Sequence, residues 1–195
     1  MNYDTNKILK ISMGGRWMRY PLSRWLKGLA DMIHHIQHTE TKDMVEIGCF
    51  SGESTEIFVQ YFKSVYAVDI WNKNYFSEAD ANIEEIFDTR MKQFKNMDKM
   101  KMKSSEAVTW FKDKSLDFVY IDGSHWYDDV KQDINLWLPK VKPHSFIGGH
   151  DFWITNEDKE HRGVVQAVCE QFGYPDKTFD DFSWIVETHE EMYDT

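Results

Sequence analysis

At 195 residues the chain is long enough for one well-buried domain and short for two. An apolar share of 42% with 15% aromatics excludes a disordered or low-complexity protein, and a net charge of −10 argues against a nucleic-acid partner, which needs clustered cations. No apolar run approaches the ~20 residues of a membrane span, and the opening "MNYDTNKILKISMGG" lacks the apolar core of a signal peptide. Two cysteines, Cys49 and Cys169, make no disulfide framework, so a reducing, cytoplasmic setting is expected.

Taken in chain order, residues 1–21 are irregular and carry Arg16, Trp17 and Tyr20 beside two glycines, the composition of a lid that orders over a ligand. Ser23 is placed to cap a helix with Leu26, Leu29, Ile33 and Ile36 at helical spacing. His34 and His38 on that helix lack a third ligand and read as a solvated face. "DMVEIG" (43–48) predicts a strand, 53–62 a helix, and "SVYAVDI" (64–70) a second strand. A helix over 78–96 presents Ile83, Phe87, Met91 and Phe94 on one face. "KMKMK" (99–103) predicts a strand with Met inward and Lys solvated, followed by a helix over "SEAVTWF". A fourth strand ends at Asp122, and Trp126, Val130, Ile134 and Leu138 mark a helix stopped by Pro139. Its Asp128, Asp129 and Asp133 read as a solvated face, and His144 as a solvated turn residue. "SFIGGHDF" (145–152) predicts a strand, Val164, Val165, Val168 and Phe172 a helix, and "KTFDD" and "SWIVET" a closing hairpin.

Strands alternating with helices predict an α/β fold, a doubly wound, mostly parallel sheet with helices on both faces. No linker or repeat divides it, so residues 1–195 read as one domain: 1–40 as lid segment and helix, 41–195 as the Rossmann-like core. Ligands of such sheets bind beyond the carboxyl ends of the strands, where strand order reverses. Glu46 and Gly48 end the first strand, Asp69 the second, Asp122 the fourth, and His150 with Asp151 the fifth, so all fall on that edge.

"EIGCFSGEST" (46–55) is a strand-to-helix glycine loop, and Asp69, 21 residues beyond Gly48, is placed for ribose hydroxyls. The loop offers Gly48 and Gly52 but no third glycine of a dinucleotide fingerprint. Glu46 and Glu53 flank it, which opposes a pyrophosphate and favours a cationic ligand. S-adenosylmethionine, with its ammonium and sulfonium, is that ligand.

On these residues the chain resembles the class I S-adenosylmethionine-dependent methyltransferases from residue 43 onward. "EIGCFSGEST" is similar to their first motif and "VYAVDIW" to the strand whose acid holds the ribose. "LDFVYIDGSHWYDDVKQDINLWLPKVKPHSFIGGHDF" resembles the small-molecule O-methyltransferases that use a divalent metal. The resemblance implies a seven-stranded sheet ending in an antiparallel hairpin. It implies that Glu46, Gly48, Ser51, Gly52 and Ser54 lie along the methionine moiety. Asp69 would take the ribose, and Ile70, Trp71, Ser104, Ser105 and Glu106 would surround the adenine, with Asp122 at the edge of the cofactor. It also implies a metal at Asp122, His150 and Asp151. His150 departs from the carboxylate usual there, so Mn²⁺, Fe²⁺ or Zn²⁺ suits the set as well as Mg²⁺. His125 stands where the catechol enzymes carry a catalytic lysine, and an imidazole there serves as general base.

The resemblance therefore implies methyl transfer to a hydroxyl of a small molecule, with Asp122, His125 and His150 as the catalytic set. The partner is that hydroxylated acceptor, with no nucleic acid and no membrane; a homo-oligomer stays open. Two other readings stand beside it: a nicotinamide-dependent oxidoreductase, and a non-catalytic binder of S-adenosylmethionine. The acceptor pocket falls to the N-terminal segment, the loop after Trp71 and residues 152–162. Trp17, Trp71, Trp126 and Trp153 are candidates for its aromatic wall.

Overall fold

Apolar side chains on both faces of each central strand oblige helices to cover both sides of the sheet, and that is the architecture found. The structure, a computed structural model, describes residues 22–72, 82–153 and 161–193. The proposed lid, residues 1–21, lies outside the described residues, as do most of the loop after Trp71 and residues 154–160.

Helix α1 (Leu22–Ile36) precedes strand β1 (Asp43–Ile47), helix α2 (Glu53–Tyr61) and strand β2 (Ser64–Asp69). Helix α3 (Ile83–Met91), strand β3 (Met97–Lys101) and the short helix α4 (Ser104–Ala107) follow. Then come strand β4 (Leu116–Ile121), helix α5 (Tyr127–Trp137), strand β5 (Val141–Gly149) and helix α6 (His161–Phe172). Strands β6 (Lys177–Thr178) and β7 (Trp184–Glu187) close the chain. The seven strands lie in the order β3-β2-β1-β4-β5-β7-β6; β7 runs antiparallel to both of its neighbours and the other pairings are parallel.

The period of two along the strands divides the core. Met44, Ala67, Phe118, Tyr120 and Ile185 face α1, α2 and α3, where Met32, Ile33, Phe58 and Phe87 are fully buried. Val45, Ile47, Val68, Val119, Ile121 and Val186 face α5 and α6, against Ile134, Trp137 and Val168. Every residue of β4 is buried, as expected of a central strand.

Several sequence readings shift. Ser23 lies inside α1 rather than at its cap. The helix over 78–96 is described only as α3, nine residues long, and β3 begins two residues earlier than expected. Lys99 is not solvated: its ammonium sits 4.7 Å from the Trp71 ring centre and pairs with Glu84 at 2.9 Å and Asp88 at 2.6 Å. Trp126 precedes α5 as its N-cap and is 60% exposed, so it is no part of that helix's inward face. Of "KTFDD" only Lys177 and Thr178 form strand, because Phe182 turns through a left-handed backbone (φ 69°) that reverses the chain into β7. His144 lies within β5, on a bulge where β5 advances from Val141 to Phe146 while β4 advances from Leu116 to Phe118.

Candidate functional site

The strand order reverses between β1 and β4, and here the ends of both strands meet. Asp122 N donates to Ile47 O at 2.8 Å, and Gly48 N donates to Val68 O at 2.8 Å. A Cβ on Gly48 would stand 2.2 Å from Asp122 O and 2.5 Å from Gly123 Cα, and its φ is +85°. Only glycine combines that backbone with that approach. The glycine loop and the end of β4 therefore share a wall.

Hydrogen bonds to two carboxylates build the loop. Asp69 Oδ2 accepts from Cys49 N and Phe50 N, both at 2.9 Å, and its Oδ1 accepts from Trp71 N at 2.8 Å. Glu46 is fully buried beneath the loop and accepts from the hydroxyls of Ser54 and Thr55. Burial pushes its pKa up to about 7, against the two hydroxyl bonds and with help from Asp122. Ser51 Oγ is buried with no hydrogen-bond partner among the described residues, so this loop holds a polar atom that a ligand can satisfy.

Glu53 does not flank the cleft as a second attracting acid. It faces Arg90, whose Nη2 lies 3.8 Å away while Nη1 bonds Glu56 at 2.8 Å. Trp71 is buried, donates its indole N–H to Phe50 O at 2.9 Å and packs on Phe87 at 4.6 Å, so it forms the floor behind the loop. Ser104 accepts from Trp137 Nε1 at 2.7 Å and donates to Asp133 at 2.5 Å, which ties α4 to α5; Ser105 and Glu106 beside it are exposed. Asp133 is thus buried rather than solvated, and burial pushes it up to about 6. Ile70 is half-buried between Asp69 and Trp71.

Beyond β4 and β5 the second half of the site gathers. His125 Nε2 is 2.9 Å from Asp151 Oδ2, and His150 Nδ1 is 3.1 Å from Asp151 Oδ1, so one carboxylate bridges two imidazoles. His150 Nδ1 is also 3.9 Å from Asp122 Oδ1. Asp151 adopts φ 60°, a left-handed conformation. Burial alone would raise its pKa, but the bonds to His125 and His150 win and hold it well below the usual carboxylate range. Burial raises Asp122, with His150 opposing and Asp151 adding repulsion. His150 is raised as well, because Asp122 and Asp151 outweigh its own burial. This is a cluster built to carry a proton or a cation.

Ligand atoms of Asp122, His125 and Asp151 lie within 4.8 Å of one another. The expected set named His150 in place of His125. The spacing along the chain could not distinguish them, since both imidazoles reach Asp151.

Three residues of the site had no signal in the sequence. Asp181 is buried in the turn before β7, held by Ser183 N and Ser183 Oγ at 3.0 Å each, and it faces Gly28 of α1, where a Cβ would stand 2.0 Å from its Oδ1. Its charge helps to raise His150. Trp184, with Ile121, Val130 and Val164, lines a cavity beside His125 and His150, and its indole N–H is buried without a hydrogen-bond partner among the described residues. Thr55 holds Glu46. Trp153 stacks on Phe182 at 4.7 Å beside Asp151, and Trp126 follows His125.

Residues 45–152 match the family described as "Methyltransferase domain". The chain is 31% identical over 166 residues to "Uncharacterized protein y4gI" of Sinorhizobium fredii; the alignment takes in 79% of this chain and 17% of that protein, so the chain spans a small part of its relative. Among solved structures the O-methyltransferase NovP matches with a TM-score of 0.68 at 12% identity, over 95% of this chain and 98% of that one. Cofactor-bound Rv0187 from MTB matches with a TM-score of 0.61 at 12% identity, over 95% and 89%. The O-methyltransferase from Bacillus cereus, in complex with SAH, matches with a TM-score of 0.59 at 14% identity, over 93% and 87%. At such identities these likenesses are likenesses of fold.

Proposed function

Because the chain belongs to the methyltransferase-domain family, within the class I S-adenosylmethionine-dependent methyltransferases, we propose that it transfers a methyl group to a hydroxyl oxygen of a small molecule. The observation that carries this reading is the shared wall: the Asp69-held glycine loop abuts the end of β4, and the Asp122–His125–His150–Asp151 cluster begins there.

S-adenosylmethionine, when bound, supplies a sulfonium methyl carbon. Gly48, Ser51, Gly52 and Ser54 line its methionine part, and Ser51 Oγ gains the partner it lacks. Glu46 acts from beneath by its charge and by holding Ser54. Asp69 keeps the loop in place and offers its remaining lone pairs to the ribose, while Ile70, Trp71 and the Ser104–Glu106 turn close around the adenine. The acceptor hydroxyl lies against His125, which takes its proton as the O–CH₃ bond forms and the S–CH₃ bond breaks. Asp151 orients the imidazole and stabilises its charge. Holding the reacting atoms in near-attack geometry supplies most of the acceleration.

The donor set of Asp122, His125 and Asp151, two carboxylates and an imidazole, also fits a divalent ion. Such a set suits Mn²⁺, Fe²⁺ or Zn²⁺ better than Mg²⁺, which prefers oxygen. A bound ion would lower the acceptor's pKa, and His125 would then serve as ligand and not as base.

Calorimetry with S-adenosylhomocysteine and with NAD tests the first claim; heat with NAD alone refutes it. Single-turnover methyl transfer over a panel of hydroxylated acceptors, with and without chelator, tests the second. His125→Ala slows the step about 10²–10⁴-fold, the scale of one general base. If chelator leaves the rate unchanged, His125 is the base, and recovery of the variant at high pH confirms it. Binding of S-adenosylhomocysteine with no transfer to any acceptor would make the chain a binder of the cofactor.

A further inference from the structure

We propose that His144, Glu187 and His189 form a second, independent site for a borderline divalent transition-metal ion, with zinc as the best-suited occupant. Their ligand atoms all lie within 4.8 Å of one another. Zinc holds its ligands at about 2.0–2.2 Å, which puts neighbouring donor atoms of a tetrahedral site roughly 3.4 Å apart. Small side-chain rotations close that difference.

The site is a product of strand register. Phe146 of β5 lies opposite Glu187 of β7, and the pairing continues outward through His144 N to Thr188 O (2.6 Å) and Thr188 N to Ser145 O (2.9 Å). His144 and Ser145 thus both face Thr188, with His144 the extra residue of a bulge, and its ring reaches that of His189, 5.9 Å away and edge to face. Glu187, two residues before His189, lies on the same side of the strand. Seen from β5, the site is six residues upstream of His150, on the order of 15–20 Å along the strand. It shares no residue with the Asp122 cluster.

The scaffold under the three side chains is rigid. His144 occupies the β5 bulge with φ 57°. Buried Thr188 pins that bulge, donating its hydroxyl to Lys142 O at 2.6 Å and accepting from Ser145 N at 3.2 Å. Asp176 Oδ2 accepts from Glu187 N at 2.7 Å and fixes the other strand. The Glu187 carboxylate makes no hydrogen bond or ion pair among the described residues, so its charge is available.

Two imidazoles and one carboxylate are the donor set of a three-ligand zinc site with water completing the shell. Mg²⁺ and Ca²⁺, which take oxygen ligands, fit it poorly. An ion held there bridges β5 to β7, the antiparallel pair that carries both Asp151 and the Asp181 turn at its other end. The inference does not depend on the methyltransferase reading.

The test uses the full, metal-free chain. Zinc titrated by calorimetry into the wild type is compared with His144→Asn/His189→Gln; asparagine tolerates the left-handed backbone at 144, and circular dichroism checks that the fold is kept. The double variant is expected to bind one ion per chain fewer and to lose the zinc-induced rise in melting temperature. His125→Ala, run in parallel, is expected to keep the ion held by His144, Glu187 and His189 and the stabilisation it brings, whether or not the Asp122 cluster takes an ion of its own. Paramagnetic broadening by Co²⁺ is expected at the ring protons of His144 and His189. The proposal is overturned if the double variant binds zinc with the wild-type stoichiometry and affinity, or if only His125→Ala loses the ion.

Discussion

Glu46→Gln should make the apoprotein more stable above pH 7 and leave it unchanged below pH 4.5. Glu46 is a buried acid whose folded pKa, about 7, lies above its ordinary value of 4.5. The folded state therefore binds this proton more tightly than the unfolded state. Wherever the folded state holds more protons, stability falls as pH rises. The loss starts near pH 4.5, grows through the folded pKa and levels off above it. A rise from 4.5 to about 7, at about 1.36 kcal/mol per pH unit, amounts to about 3 kcal/mol. Glutamine carries no charge, so it avoids this cost, and the Ser54 or Thr55 hydroxyl that would face its amide nitrogen can rotate to accept. Urea unfolding of both proteins from pH 4.5 to 8.5 is the assay. The other raised groups, Asp133 and Asp122 among them, are common to both proteins and cancel in the difference. The expected difference opens with pH and reaches up to about 3 kcal/mol by pH 8, and S-adenosylhomocysteine binds the stabilised variant more weakly. A difference that is flat in pH, or a variant less stable at pH 8 than at pH 5 relative to wild type, would refute the reasoning.

Gly48→Ala combines a left-handed backbone with a Cβ 2.2 Å from Asp122 O, and about 2–5 kcal/mol of stability is expected to be lost. A loss under about 1 kcal/mol in urea would mean that the ends of β1 and β4 part easily. Gly28→Ala improves helix propensity, yet it is expected to destabilise by about 1–3 kcal/mol, because its Cβ meets the Asp181 carboxylate. In Asp181→Ala the same change at position 28 should cost little or nothing; a double-mutant cycle with no coupling would show that the two do not touch.

What the sequence determined by itself was periodic or covalent. Apolar runs marked the seven strands, and the acids and imidazole at the ends of the first, second, fourth and fifth came out on the ligand edge because residues next to a strand's end have nowhere else to go. Gly48 and Gly52, Asp69, Asp122 and the His150–Asp151 pair were legible for that reason, and so was the methyltransferase resemblance. Only the tertiary structure decided partnership. Glu53 reads as a cleft acid until α3 brings Arg90 against it, and Asp133 reads as solvated until Ser104 and Trp137 close over it. Asp181 looks like a turn residue, and what buries it is Gly28, more than 150 positions away along the chain. His125 and His150 both come to Asp151, from the ends of two different strands, and His144 meets His189 only through the β5 bulge. Local periodicity dictates which way a side chain points. What it meets there depends on the register and packing of distant segments, which a local pattern does not encode.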